Sequence, residues 1–169
     1  HDYMALRLFD GQLLLDDISR KYGKGYNNIF NESEDGIAWL QSLSPTYQIK
    51  MGSHKCLFVH GDHIDNLNGR VYPNTPVNID FEDWDILFCG HTHIPCIRKV
   101  GDKLIVNVGS IGQPRNGDLA QAVIFDADYG SIEFISFNWH PEKIRKDLEL
   151  YGDNDLDHVK ILKRKRFNS

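Results

Sequence analysis

Long apolar runs are missing from this sequence. Nowhere does it reach the roughly 18 to 20 consecutive apolar residues that span a bilayer, so no membrane segment is expected. The opening His1-Asp2-Tyr3-Met4 has neither the basic region nor the apolar core of a signal peptide. It also starts without methionine, as a fragment or processed product would. Cysteine is scarce: Cys56, Cys89 and Cys96 are an odd set without metal-type spacing. Two of them lie in or beside apolar strands, the pattern of reduced packing residues in a cytoplasmic protein. Positive charge is not in excess either. The net charge of -5 argues against nucleic-acid binding through bulk electrostatics. The exception is the tail, where Lys163-Arg164-Lys165-Arg166 reads as a solvated terminus, with an arm for an anionic partner such as nucleic acid as the alternative. Repeats, low-complexity tracts and a clear linker are lacking too. One unit is expected over 1–152, followed by the basic tail 153–169.

What is present is enough chain for one core: 41% of the residues are hydrophobic and 25% charged, the balance of a folded domain rather than a disordered one. The sequence is organised around Trp84-Asp85-Ile86-Leu87-Phe88-Cys89-Gly90-His91-Thr92-His93-Ile94-Pro95. Ile86 to Cys89 reads as a strand buried on both faces. Gly90 then permits a tight backbone, His91 and His93 follow in quick succession, and Pro95 is expected to stop regular structure. Histidines just past the C-terminal end of a buried strand sit where open α/β sheets hold their ligands.

Upstream, Met4, Leu6, Leu8, Leu13, Leu14 and Leu15 predict a short helix and a broken segment. Ile37, Trp39, Leu40 and Leu43 predict a helix that Ser44-Pro45 ends. Strands are expected at Tyr47 to Lys50, Cys56 to Val59 and Lys103 to Val108, with a hairpin of Ala120 to Phe125 and Ser131 to Phe137. Ile64 to Asp83 is an irregular stretch of the length that usually forms a lid or binding loop. Pro141 to Tyr151 predicts a last helix. Three apolar strands thus run into chemistry-bearing loops: His60-Gly61, Gly90-His91-Thr92-His93 and Asn107-Val108-Gly109-Ser110. If the sheet brings those ends to one edge, His60, His91 and His93 supply imidazoles suited to zinc, manganese, iron or nickel. His54, His63, His140 and His158 lack this setting and are expected at the surface or in packing.

The order of His1-Asp2, Val59-His60-Gly61, Gly90-His91-Thr92-His93 and Gly109-Ser110 resembles the second half of a calcineurin-like metallophosphoesterase. Members carry Asp-x-His, Gly-Asp-x-x, Gly-Asn-His-Asp, a lone His before Gly, and Gly-His-x-His, in that order. His1-Asp2 matches the end of the third motif, and Tyr72-Pro73-Asn74-Thr75-Pro76 is similar to a stretch of small bacterial and archaeal phosphoesterases. The first two motifs and the asparagine before His1 are absent. The resemblance therefore implies an α/β (α+β) fold, the C-terminal portion of a four-layer αββα sandwich, inactive by itself. It implies two divalent transition-metal ions, manganese first, with iron, zinc or nickel as alternatives. His60 and His91 would hold the second ion and His93 the first. His1 would be the general acid, with Asp2 orienting its ring. A phosphomonoester or phosphodiester would be hydrolysed by a hydroxide that the two metals activate. Gly109 and Gly112 would serve a tight backbone beside the site. The alternatives are a non-catalytic binding or scaffold module on the same fold, and a mononuclear zinc hydrolase using all three histidines.

Overall fold

Helical spacing in the first 43 residues and period-two or continuous apolar patterns after them lead to the observed element order. The computed structural model describes residues 2–22, 34–74, 76–79, 83–116, 119–138, 140, 142, 143 and 146. The predicted last helix lies almost entirely outside these residues, and the basic tail wholly so. The chain divides into two units, 1–43 with 140–165 and 44–139 with 166–169. The first holds α1 (Asp2–Phe9), α2 (Leu15–Tyr22) and α3 (Glu34–Ser42). Leu8 and Ile37 are buried together there, with Leu6, Leu13 and Leu15 packed against them.

The second unit carries seven strands among the described residues: β1 (Thr46–Met51), β2 (His54–Val59), β3 (Ile86–Cys89), β4 (Cys96–Val100), β5 (Lys103–Asn107), β6 (Leu119–Asp126) and β7 (Ser131–Asn138). Five of them form one sheet in the order β1-β2-β3-β5-β4, and β6 and β7 form a separate hairpin. The mixed α and β class expected from the sequence is what the structure shows. Within the sheet β2, β3 and β5 are parallel, with Phe58 opposite Phe88 and Cys89 opposite Asn107. Their C-terminal ends therefore reach the same edge, as expected from the strand-then-loop pattern. β1 and β4 are antiparallel edge strands.

All four residues of β3 are buried, because both faces of the sheet are covered. Alternation sends Ile86 and Phe88 to one face and Leu87 and Cys89 to the other. On the first face Cys56 and Val106 complete a core against which Val123, Phe125, Ile132 and Phe134 of the hairpin pack. Phe88 lies between two rings, with centroids 4.9 Å from Phe58 and 5.6 Å from Phe125. On the second face Leu87, Cys89 and Ile105 are joined by Val71 and Trp84, with Val77 and Ile79 packed against them. The long connection after β2 is thus the cover of a sheet face. Its apolar residues are too sparse to show a period, so the sequence predicts a lid or binding loop without this packing role.

Pro95 does not stop regular structure: β4 begins at the next residue. The position suits proline, because an edge strand tolerates a missing N–H at its start. The sequence reading assigned no strand to Cys96–Val100. Among the described residues no helix is long and apolar enough to cross a membrane.

Candidate functional site

Parallel pairing sets the site's frame. Gly90 N–H donates to His60 O at 3.1 Å, and Val108 N–H donates to Cys89 O at 2.9 Å, so the three strand-end loops remain stitched beyond the ladder. The sequence reading gave the tight turn to Gly90. The structure instead puts the left-handed backbone on the histidines, with φ of 60° at His91 and 61° at His93. A Cβ at Gly90 would meet only His60 O, at an ordinary 3.9 Å. Thr92 N–H donates to Gly90 O at 2.6 Å and closes a three-residue turn on His91. Left-handed backbone costs a residue with a Cβ about 1–2 kcal/mol, and such strain persists only where surroundings over-determine it.

Asn107 does that over-determining. Its side chain is fully buried, and its Nδ2 donates to Gly90 O and Thr92 Oγ1 at 2.8 Å each, with Val71 O at 3.2 Å. Its Oδ1 accepts from Gly109 N–H at 3.1 Å. Thr92 Oγ1 in turn donates to Val71 O at 3.3 Å and accepts from Ile94 N–H at 3.3 Å. One amide therefore holds the covering loop, the histidine turn and the turn after β5. Sequence reasoning missed this residue. The available signal was an asparagine, disfavoured in strands, at the end of the β-branched run before Gly109.

The turn after β5 supports part of the expected backbone role. Gly109 has φ of 78°, and a Cβ there would lie 3.3 Å from both Gln121 Cβ and Pro95 Cβ. Gly112 needs no glycine: it has open space around it and no left-handed φ.

Two of the three predicted ligands meet. His60 Nε2 and His91 Nδ1 stand 2.9 Å apart, one donating to the other, with the rings edge-on at 71° and centroids 4.8 Å apart. His93 has its own anchor. Its Nδ1 lies 2.8 Å from Gln113 O; a carbonyl only accepts, so Nδ1 carries the proton and Nε2 keeps a free lone pair. Arg115 N–H donates to His93 O at 3.2 Å, and Arg115 Nη2 donates to Gln113 Oε1 at 3.2 Å, bracing that segment. Among the described residues no three His, Cys, Asp or Glu side chains gather as one metal cluster. The Gln113 carbonyl fixes the His93 ring through Nδ1, while the contact with His91 fixes that of His60.

Burial pushes the His91 pKa down, helped by the His60 imidazole and the charges of Arg70, His93 and Arg115. Burial also lowers that of His93, aided by Arg115 and opposed by the bond to Gln113. Both rings thus favour the neutral form. Cys89, beneath the turn, has its thiol pushed up to about 12 by burial, with Cys96 and Asp62 adding to it. It is a packing group, not a thiolate, and all three cysteines are free.

His63 follows β2 as His60 does, yet turns into the covering loop. Its Nε2 donates to Asn78 O at 2.8 Å and its ring lies 6.2 Å from the Trp84 ring. His54 packs edge-on to Phe125, and His140 is exposed. His1 and His158 lie outside the described residues. Asp2 opens α1, in the other unit from the three histidines.

The profile of the calcineurin-like phosphoesterase superfamily domain matches residues 24–130. The chain belongs to that superfamily. A metallophosphoesterase from Sphaerobacter thermophilus is similar in structure, with a TM-score of 0.74 at 20% identity, over 97% of this chain and 72% of that one. A hypothetical protein from Pyrococcus horikoshii OT3 is similar over 94% of this chain, with a TM-score of 0.68 at 16% identity. This chain spans only 63% of that protein's length. At these identities the likeness concerns the fold. No curated protein matches the sequence.

Members of the superfamily bind divalent metal ions, and the paired histidines fit one. Two nitrogens each about 2.05 Å from one ion stand about 2.9 Å apart when they meet it at a right angle. The donors have the right chemistry as well, since imidazole binds only when neutral.

Proposed function

We propose that the chain belongs to a metal-dependent hydrolase acting on a phosphomonoester or phosphodiester, with catalysis in the intact protein and none in this chain by itself. The observation that carries this reading is the 2.9 Å approach of His60 Nε2 to His91 Nδ1 at the shared edge of parallel strands, in a chain of phosphoesterase lineage. His60 and His91 hold one divalent ion, and His93 offers its Nε2 lone pair to a second. Manganese is the first choice, with iron, zinc and nickel as alternatives. Such ions lower the pKa of bound water and offset phosphoryl charge.

The chain's own groups set the rest. Arg70 and Arg115 place positive charge around His91, which favours an anionic ester over a neutral one. His1 donates a proton to the departing oxygen, and Asp2 orients its ring; the support for both is their match to the family's His-Asp pair. General-acid help is typically worth about 10² to 10⁴ in rate. His1→Asn in the full-length protein should thus slow alkyl phosphoesters far more than nitrophenyl phosphoesters, with metal retained. Loss of metal instead would make His1 a ligand.

Metal analysis with a panel of phosphoesters on the full-length protein tests the whole reading. Turnover should require the ion and vanish in His91→Ala. Bound metal without turnover of any ester would favour the scaffold alternative.

A further inference from the structure

We infer that Asn107 is the positioning residue of the His60–His91 pair, and that Thr92 Oγ1 is the handle through which it acts. The inference rests on the reading of that pair as metal ligands. Its basis is a proton count. The Asn107 amide has two hydrogens, and its two short contacts, both 2.8 Å, are to Gly90 O and Thr92 Oγ1. These groups bracket His91 on either side. Gly109 N–H, a pure donor, fixes the other end of the amide as Oδ1. With the Thr92 oxygen taken as acceptor by Asn107, its own hydrogen goes to Val71 O.

Placing the two amide hydrogens on the two shorter contacts leaves Val71 O, 3.2 Å from Asn107 Nδ2, to the Thr92 hydroxyl. The left-handed His91 sits between the two atoms that Asn107 holds. Unlike the ligands themselves, Asn107 touches neither imidazole among the contacts of its amide. It sets ring placement through the backbone, as outer-shell partners of metal-binding histidines set ring orientation. A carboxylate in its place has no hydrogen to give Gly90 O. It would instead draw the Thr92 hydroxyl away from Val71 O and release the turn.

The test separates packing from hydrogen bonding at Thr92, which is also buried. Thr92→Val keeps the volume and removes the hydroxyl, whereas Thr92→Ser keeps the hydroxyl and removes a methyl. Titration of the metal-free full-length chain with Co2+ alone, followed by its visible absorption, reads affinity and coordination together. Thr92→Val and Asn107→Asp should bind Co2+ about 10- to 100-fold more weakly. Thr92→Ser should bind as the unchanged chain does, even though its lost methyl lowers Tm. Unchanged affinity in Thr92→Val, or equal losses in Thr92→Val and Thr92→Ser, overturns the inference. Thr92→Val decides alone if Asn107→Asp does not fold. His91→Ala is the control on the underlying reading: full Co2+ affinity in that variant refutes the ligand assignment itself, independently of Asn107.

Discussion

β2 and β3 are parallel neighbours, and each runs directly into a loop bearing two histidines, yet the two loops use them differently. The connection after β2 is long; its opening turn, Gly61 to Gly69, is built from short-range bonds, while Val71 beyond it is tied to Thr92 and Asn107. Asp62 Oδ1 accepts from Ile64 and Asp65 N–H at 2.9 and 2.7 Å, and Asp65 Oδ1 accepts from Asn68 N–H at 2.9 Å. The bond from Asn68 is the largest cause holding the Asp65 carboxyl below its ordinary range. This self-contained coil leaves His60 at the strand end but carries His63 over the sheet face, against Trp84. The turn after β3 is short, strained and braced from outside by Asn107. Both of its histidines stay at the strand edge, half-buried, with their pKa lowered. The difference teaches that an imidazole's role here follows from what holds the backbone: a local coil turns one inward as packing, and a tertiary brace keeps the others at the edge.

The strongest way to break this comparison is to exchange the expected consequences. His91→Ala or His60→Ala should cost more than about 100-fold in metal affinity, beyond the upper range for outer-shell partners, with the fold retained. Equilibrium dialysis with Mn2+ and circular dichroism read the two effects separately. His63→Phe keeps a ring beside Trp84 and drops both nitrogens. It should change stability by about 1 kcal/mol, the scale of one hydrogen bond, and leave metal content alone. A metal loss matching that of His91→Ala would make the covering loop part of the site.

The smallest effect is one of pH on the metal-free protein. Folded His91 and His93 have pKa values below the ordinary 6.5. Between those lowered values and 6.5 the unfolded chain binds more protons, so stability rises with pH there and levels off above. Acidification below about pH 6.5 should therefore lower the urea midpoint in the presence of chelator. The slope should shrink in His91→Asn. An unchanged slope would place the responsible protons elsewhere.

Much of this was readable in the residues, though not evenly. Ile86 to Cys89 is a continuous apolar run bounded by Asp85 and Gly90, and β3 has those bounds. The β6–β7 hairpin was legible because Asp126 and the residues after it separate two apolar runs. β4 was not: Cys96-Ile97-Arg98-Lys99-Val100 is half polar, as an edge strand can be, and it follows a proline. The site divided in the same way. Strand-end histidines are local features, so His60 and His91 could be proposed from sequence. The anchoring of the His93 ring depends on a carbonyl twenty residues later at Gln113, and the left-handed backbone is braced by Asn107. Neither leaves a local trace. The cover formed by Val71, Val77 and Ile79 was hidden for a related reason, since isolated apolar residues among prolines and asparagines show no period.

The account turns on whether one ion replaces the proton shared by His60 and His91. Nitrogen-15 NMR of the imidazole rings, recorded on the metal-free full-length protein and then with Zn2+ added, observes that exchange directly. The free protein should show one ring proton between His60 Nε2 and His91 Nδ1. Zn2+ should remove it and shift both nitrogens together, while His93 Nδ1 keeps its proton on Gln113 O and His63 is unmoved. If Zn2+ leaves the His60 and His91 nitrogens where they were, the pair is a structural hydrogen bond and the metal centre lies elsewhere.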